Sequence, residues 1–262
     1  MSEASKPGHV RREAIGRIFK ITIDNVAKRN AFTPEMMEQF SDKLTEFDRN
    51  DELWAAVICA EGDHFTAGLD MPKFFGPGAT VRPPRDGILD PFALRARTLK
   101  PIITAVQGIT YTIGIEMMLA GDIVIAADSA RFCQMESRRG IAPLGGAHFR
   151  FLTRTGWGNA MYHLMLCDEF SAQRALLIGL VQEVVPHGKQ IERAIEIANA
   201  ICRNAPLGIR AMKEAALKYV ATNERAAIEA IATVRERVMD SEDAKEGIRS
   251  FVERREARFT GR

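Results

Sequence analysis

From Ile18 to Ile23 the chain alternates, with Phe19, Ile21 and Ile23 on one face and Lys20 and Thr22 on the other. That period predicts a half-buried strand, and Val10 to Ala14 is placed to pair with it through a turn at Gly16. The period then changes. After Pro34, the residues Met37, Phe40, Leu44 and Phe47 recur at helical spacing, the stripe of an amphipathic helix with Thr33 as its N-cap. The apolar run Trp54 to Ala60 reads as a buried strand.

Two further units repeat the order of strand then helix. Ile102 to Val106 leads toward a helix near Gly114, and Ile123 to Ala127 leads toward one after Glu136. Strands alternating with helices predict an α/β layered core, and their recurrence fits turns of one larger spiral. Pro72 to Pro91 is crowded with prolines and glycines and is expected to be an irregular loop. From about Lys189 the period is helical, with Ile191, Ile195, Ala198 and Cys202 on one stripe and Ile228, Ile231, Val234 and Val238 on another. The C-terminal quarter therefore reads as a helical appendage. The expected division is an α/β core over residues 1–200 and a helical region over 201–262.

Composition adds exclusions. The 262 residues, 46% hydrophobic and 27% charged, can bury one large core. A net charge of +2 gives no general reason to expect nucleic acid or a membrane surface as partner. Cys59, Cys133, Cys167 and Cys202 form no CxxC pair and have no histidine at a ligand interval, so reduced thiols and no metal site are expected. With neither a secretory h-region nor an apolar run long enough to span a bilayer, the expected location is cytoplasmic.

The candidate chemistry begins with QGITYTIGIEMMLAGD, Gln107 to Asp122, where one carboxylate, Glu116, stands among apolar and small residues. Burying an unpaired carboxylate is costly, although a first-turn position on a helix would account for the residue without any function. A second carboxylate, Glu136, lies in RFCQMESRRGIAPLGG, where the structural alternative is a solvated helix end paired with Arg139. Two carboxylates divide acid and base work when their environments push their pKa values apart. GDHFTAGLDM, residues 62–71, follows a strand, and Gly62 and Gly68 either let it aim backbone N–H groups at a ligand or make it an ordinary surface turn. The five histidines show no zinc spacing, and no Ser or Cys stands in a nucleophile elbow. His148, in GGAHFR, is the histidine singled out, with a structural or surface role the plainer reading.

Taken together, KRNAF at Lys28 to Phe32, GDHFTAGLDM, PIITAVQG at Pro101 to Gly108, the Glu116 segment, DIVIAADSARFCQME and FSAQRALLIGLVQEVVP resemble the enoyl-CoA hydratase/isomerase family, the crotonases. The resemblance implies a spiral of β/β/α turns, C-terminal helices that assemble trimers or hexamers, and a CoA thioester substrate with no separate cofactor. It also implies an oxyanion hole formed by the backbone N–H groups of Leu69 and Ile113, with Glu116 and Glu136 holding the water of a hydratase. Lys28, Ala31, Ala67, Asp70 and Met71 fall at substrate-binding positions, and Phe251 and Arg254 at positions that meet the CoA of a neighbouring subunit.

Departures accompany the likeness. Where the family has GGG, this chain has Thr112, Ile113 and Gly114, so an Ile supplies the second donor. Arg138 and Arg139 replace commonly apolar positions, and Arg139 is expected to depress the pKa of Glu136. The first reading is an enoyl-CoA hydratase. Its rivals are another reaction through the same enolate, such as double-bond isomerisation, and a non-catalytic acyl-CoA-binding protein.

Overall fold

A computed structural model describes residues 7–77, 79 and 83–260, leaving aside the side chains of 221–224, 226, 227, 230, 234 and 237. Strands β1 (His9–Ile15) and β2 (Ile18–Asp24) form the expected hairpin, in register from Ile15 opposite Ile18 to His9 opposite Asp24. Gly16 supplies the positive φ, 57°, that suits the two-residue turn. In α1 (Pro34–Arg49) the hydroxyl of Thr33 accepts from the Met36 N–H at 3.3 Å and caps the first turn.

Then β3 (Ala55–Ala60) leads to α2 (Met71–Phe75). β4 (Ile102–Val106) leads through β5 (Ile109–Tyr111) to α3 (Ile113–Ala120). β6 (Ile123–Ala127) leads through β7 (Arg131–Cys133) and a 3₁₀ turn (Glu136–Arg139) to α4 (Ala147–Leu166). The order closes with β8 (Phe170–Ser171), α5 (Ala172–Leu177), β9 (Glu183–Val185), α6 (Gln190–Cys202), α7 (Pro206–Met239) and α8 (Glu242–Glu253).

β1-β2-β3-β4-β6-β9 form a six-stranded sheet, parallel from β2 onward, and β5-β7-β8 a three-stranded one. The turns β4-β5-α3 and β6-β7-α4 each lay a strand in the first sheet, cross to the second and return through a helix. After β3 the second strand shrinks to one bridge, Thr66 to Thr110. This is the β/β/α spiral of the crotonase fold.

Packing corrects two expectations. On one face of the large sheet, Phe19, Ile21, Ile58, Val106 and Val124 pack with Phe40 of α1 and Met118 of α3. On the other, Val57, Cys59, Ile103, Ala105 and Ile125 pack against Ala194 and Ala198 of α6. β2 is therefore buried on both faces over most of its length, with Thr22 hydrogen-bonded to Cys59 at 3.5 Å instead of facing water. Likewise α6 is a layer of the core, not an appendage, because its Ile191, Ile195, Ala198 stripe covers a sheet face; the expected boundary at residue 200 falls inside its last turn. Ile228, Ile231 and Val238 of α7 are half-buried, and the side chain of Val234 lies outside the described residues. The loop expected at Pro72 to Pro91 opens with α2, which accepts Pro72 because the first turn of a helix needs no N–H there.

Among the described residues no helix is long and apolar enough to cross a membrane, and no group of three His, Cys, Asp or Glu side chains gathers as a metal site.

Candidate active site

The loop after β3 is pinned to the 3₁₀ turn Val26–Lys28 and the residues behind it. Asn30, 1% exposed, donates to the carbonyls of Glu61 and His64 at 2.8 and 2.7 Å and accepts from the Asn25 N–H at 2.6 Å. Thr66 Oγ1 donates to Asn30 O at 2.7 Å and accepts from the Gly68 N–H at 3.1 Å. Phe32 then bridges the segment, its N–H donating to Gly68 O and its carbonyl accepting from the Asp70 N–H, both at 2.8 Å. Successive N–H groups of an extended segment alternate in direction, so that of Leu69 points away from Phe32 and has no acceptor among the described residues.

Ile113 opens α3, where first-turn N–H groups lack intrahelical acceptors. Thr112 O takes the Ile115 and Glu116 N–H groups at 2.9 and 3.2 Å, leaving that of Ile113 unclaimed among the described residues. The unusual conformation falls one residue earlier than the Ile: Thr112 has φ 50° and ψ −114°, a region closed to most β-branched residues. Gly114 brings α3 against the first loop, since a Cβ there would come under 3.0 Å from Thr66 Cγ2. Gly68, at φ 108°, likewise makes room for the Thr112 hydroxyl.

Glu116 is 2% exposed, within a helix buried on every side. Its Oε1 accepts from the Gly145 and Ala147 N–H groups at 2.7 and 3.2 Å, the second at the N-terminus of α4. Burial raises its pKa to about 7, against the pull of those two N–H groups and of the Arg150 charge. Arg150, 4% exposed, donates to the Phe92 and Ala93 carbonyls, which sets Phe92 beside Gly145 and the Glu116 carboxylate.

Glu136 is 8% exposed, so it is no solvated helix end. Its Oε1 accepts from Gln134 Nε2 at 2.8 Å, while Oε2 is buried without a partner among the described residues. Burial first, and the negative charge of Glu116 second, hold its pKa well above the usual carboxylate range. The expectation that Arg139 depresses it is overturned, because the guanidinium turns instead over the ring of Phe251, 4.9 Å from its centroid.

Glu116 keeps two N–H donors and a nearby cation; Glu136 has one neutral amide, the lesser pull of its own backbone N–H, and an oxygen with no partner among the described residues. The anion is better held at Glu116, and the proton at Glu136. Sequence reasoning missed the residues that create this difference, Gln134, Gly145 and Arg150, and also Asn30, since nothing in local pattern marks a hydrogen bond across the fold.

The remaining expected positions divide. Lys28 pairs with Asp70 at 2.7 Å, and the Ala67 N–H donates to Arg29 O at 3.0 Å, so Lys28, Ala31, Ala67, Asp70 and Met71 share the seam between the two segments beside Leu69. Phe251 lies against Arg139 of its own chain, and Arg254 ends α8 at φ 55°. His148 sits edge-on to Phe149, with ring centroids 5.0 Å apart.

A family model described as enoyl-CoA hydratase/isomerase matches residues 13–262. The chain belongs to the enoyl-CoA hydratase/isomerase family. It is an enzyme of that family, and hydro-lyases stand among its relatives. An enoyl-CoA hydratase of Mycobacterium tuberculosis is 30% identical over 259 residues, covering 95% of this chain and 96% of its own. Among solved structures, a probable enoyl-CoA hydratase/isomerase from Mycobacterium abscessus is 40% identical with a TM-score of 0.76, covering 97% and 98% of the two chains. A carnitinyl-CoA hydratase from Mycobacterium avium is 31% identical with a TM-score of 0.87, covering 98% of this chain and 100% of that one.

Proposed function

We propose that this crotonase hydrates a 2-enoyl-CoA thioester. The thioester oxygen lies between the Leu69 and Ile113 N–H groups, where enolate charge is worth roughly 3 kcal/mol per donor. Ionised Glu116 takes a proton from water as its oxygen bonds to Cβ, the C=C electrons move to the thioester, and protonated Glu136 delivers a proton to Cα. One proton has then passed from Glu136 to Glu116 and returns by exchange, so the reaction consumes only water and needs no metal or redox cofactor.

The observation that carries this reading is the asymmetry of the two buried carboxylates, one held as a base by two backbone donors and the other left as an acid with a free oxygen. Loss of enoyl-thioester absorbance on mixing with crotonyl-CoA tests it. Turnover is expected; migration of a double bond without hydration would favour the isomerase, and binding without turnover an acyl-CoA-binding protein.

We further infer a homotrimer or a pair of trimers in the cytoplasm. Support comes from exposed apolar side chains, Trp157, Tyr162 and Met165 on α4 and Leu177 on α5, and from free cysteines. In that assembly Phe251 and Arg254 reach the CoA of a neighbouring subunit.

A further inference from the structure

α8 meets the 3₁₀ turn that carries Glu136. Its buried line includes Ala244, Gly247 and Ser250, and a Cβ on Gly247 would come under 3.0 Å from the carbonyl of Arg139. The fit is reciprocal. Gly140, which ends the turn at φ 72°, would drive a Cβ under 3.0 Å from Asp243 O and Ala244 Cα. Two glycines thus let two backbones touch, and Arg139 over Phe251 closes the same seam.

α8 is itself clasped by the chain that follows it. Glu246 accepts from both terminal nitrogens of Arg255 at 2.6 and 3.0 Å and from the Arg258 N–H at 2.9 Å, while the Thr260 N–H donates to Asp243 at 2.6 Å. The catalytic turn has less of its own. Its backbone bonds are local, Arg138 N–H to Met135 O at 3.0 Å, with Gly140 N–H to Ser137 O and Ile141 N–H to Glu136 O both at 3.2 Å, and a single 3₁₀ turn is a weak frame. The direction of the Glu136 carboxyl therefore depends on what abuts the turn.

We propose that Gly247, seated against Arg139 and Gly140, is a positioning residue for Glu136, so that the C-terminal helix sets the aim of the acid. This rests on the role given to Glu136 above. The contact predicts a loss in the chemical step, distinct from a loss of CoA affinity through Phe251 or Arg254.

The test compares Gly247→Ala with the wild type, with Glu136→Gln, with the double variant and with Lys245→Ala on the exposed side of α8, using crotonyl-CoA. Glu246→Gln loosens the clasp without filling the seam and serves if Gly247→Ala fails to fold. Gly247→Ala is expected to lower kcat roughly ten- to a hundredfold, the scale of a misplaced catalytic group, with KM within about twofold. The alkaline limb of kcat moves to lower pH as water reaches Glu136, and hydrogen exchange quickens across residues 136–141. The double variant loses no more than Glu136→Gln alone. Glu246→Gln shows the same pattern in smaller degree. Wild-type kcat, pH profile and exchange in both Gly247→Ala and Glu246→Gln, with Glu136→Gln impaired, would overturn this inference alone, as would a rise in KM with kcat unchanged. A fully active Glu136→Gln would overturn the acid assignment and this inference with it.

Discussion

Thr112 is the residue at which this member departs most from the expected glycine-rich turn, and the consequence is local strain, not a lost donor. Ile113 takes a helical place, so the N–H expected of the oxyanion hole survives, while Thr112 holds φ 50° and ψ −114°. A non-glycine residue so placed costs about 1–3 kcal/mol, against roughly 0.4–1 kcal/mol for the added freedom of a glycine in the unfolded chain. Thr112→Gly is therefore expected to raise stability by about 1 kcal/mol, or roughly 2–4 °C in Tm, with hydration retained. A lower Tm in a calorimetric scan would show that the Thr side chain holds the turn.

The buried glutamates make a second residue-scale prediction. Their folded pKa values lie above the ordinary 4.5, so between 4.5 and the folded values the native state keeps protons that the unfolded chain has released. Stability contributed by these groups is full below the unfolded pKa and falls as pH rises through the folded one. Glu136→Gln removes its share of that loss. Its Tm should exceed that of the wild type by a margin that widens from pH 5 toward pH 8, even as turnover falls. An equal or lower Tm across that range would mean that Glu136 is not held against its charge.

At the scale of elements, the site depends on close approaches that only certain segments permit. The turn before α4 offers its N–H groups to Glu116 because Gly145 lacks a side chain: a Cβ there would come under 3.0 Å from Glu116 Oε2 and from Phe92. Gly145→Ala is expected to push the carboxylate off its donors and to lower kcat about a hundredfold, with a stability loss of about 1–3 kcal/mol from overpacking. Unchanged kcat in a folded variant would contradict the placing of the base. Here too lies the limit of what the sequence made legible. The long strands and α1 announced themselves by period and cap, and the motifs singled out Glu116, Glu136, Leu69 and Ile113 as candidates. The second sheet did not, because β5, β7 and β8 have only three, three and two residues, too few for a period to register. Nor could α6 be told from an appendage, since an amphipathic stripe shows that a face is covered and not what covers it.

At the scale of the whole molecule, the apolar residues left outside the core support the proposed assembly. Met165 and Leu177 are 72% and 77% exposed in the single chain. Met165→Glu combined with Leu177→Glu is expected to shift the sedimenting species from trimer or hexamer to monomer, and a wild-type monomer at micromolar concentration would contradict the proposed oligomer. The central claim, however, is the division of labour between Glu116 and Glu136. The pH dependence of kcat/KM on crotonyl-CoA for the wild type and for each Glu→Gln variant tests it most directly. The wild type should give a bell with its acid limb near 7, from Glu116. Each variant should lose about two orders of magnitude, Glu116→Gln with the acid limb gone and Glu136→Gln with the alkaline one gone. Full activity in either variant, or a flat profile in the wild type, would contradict the account.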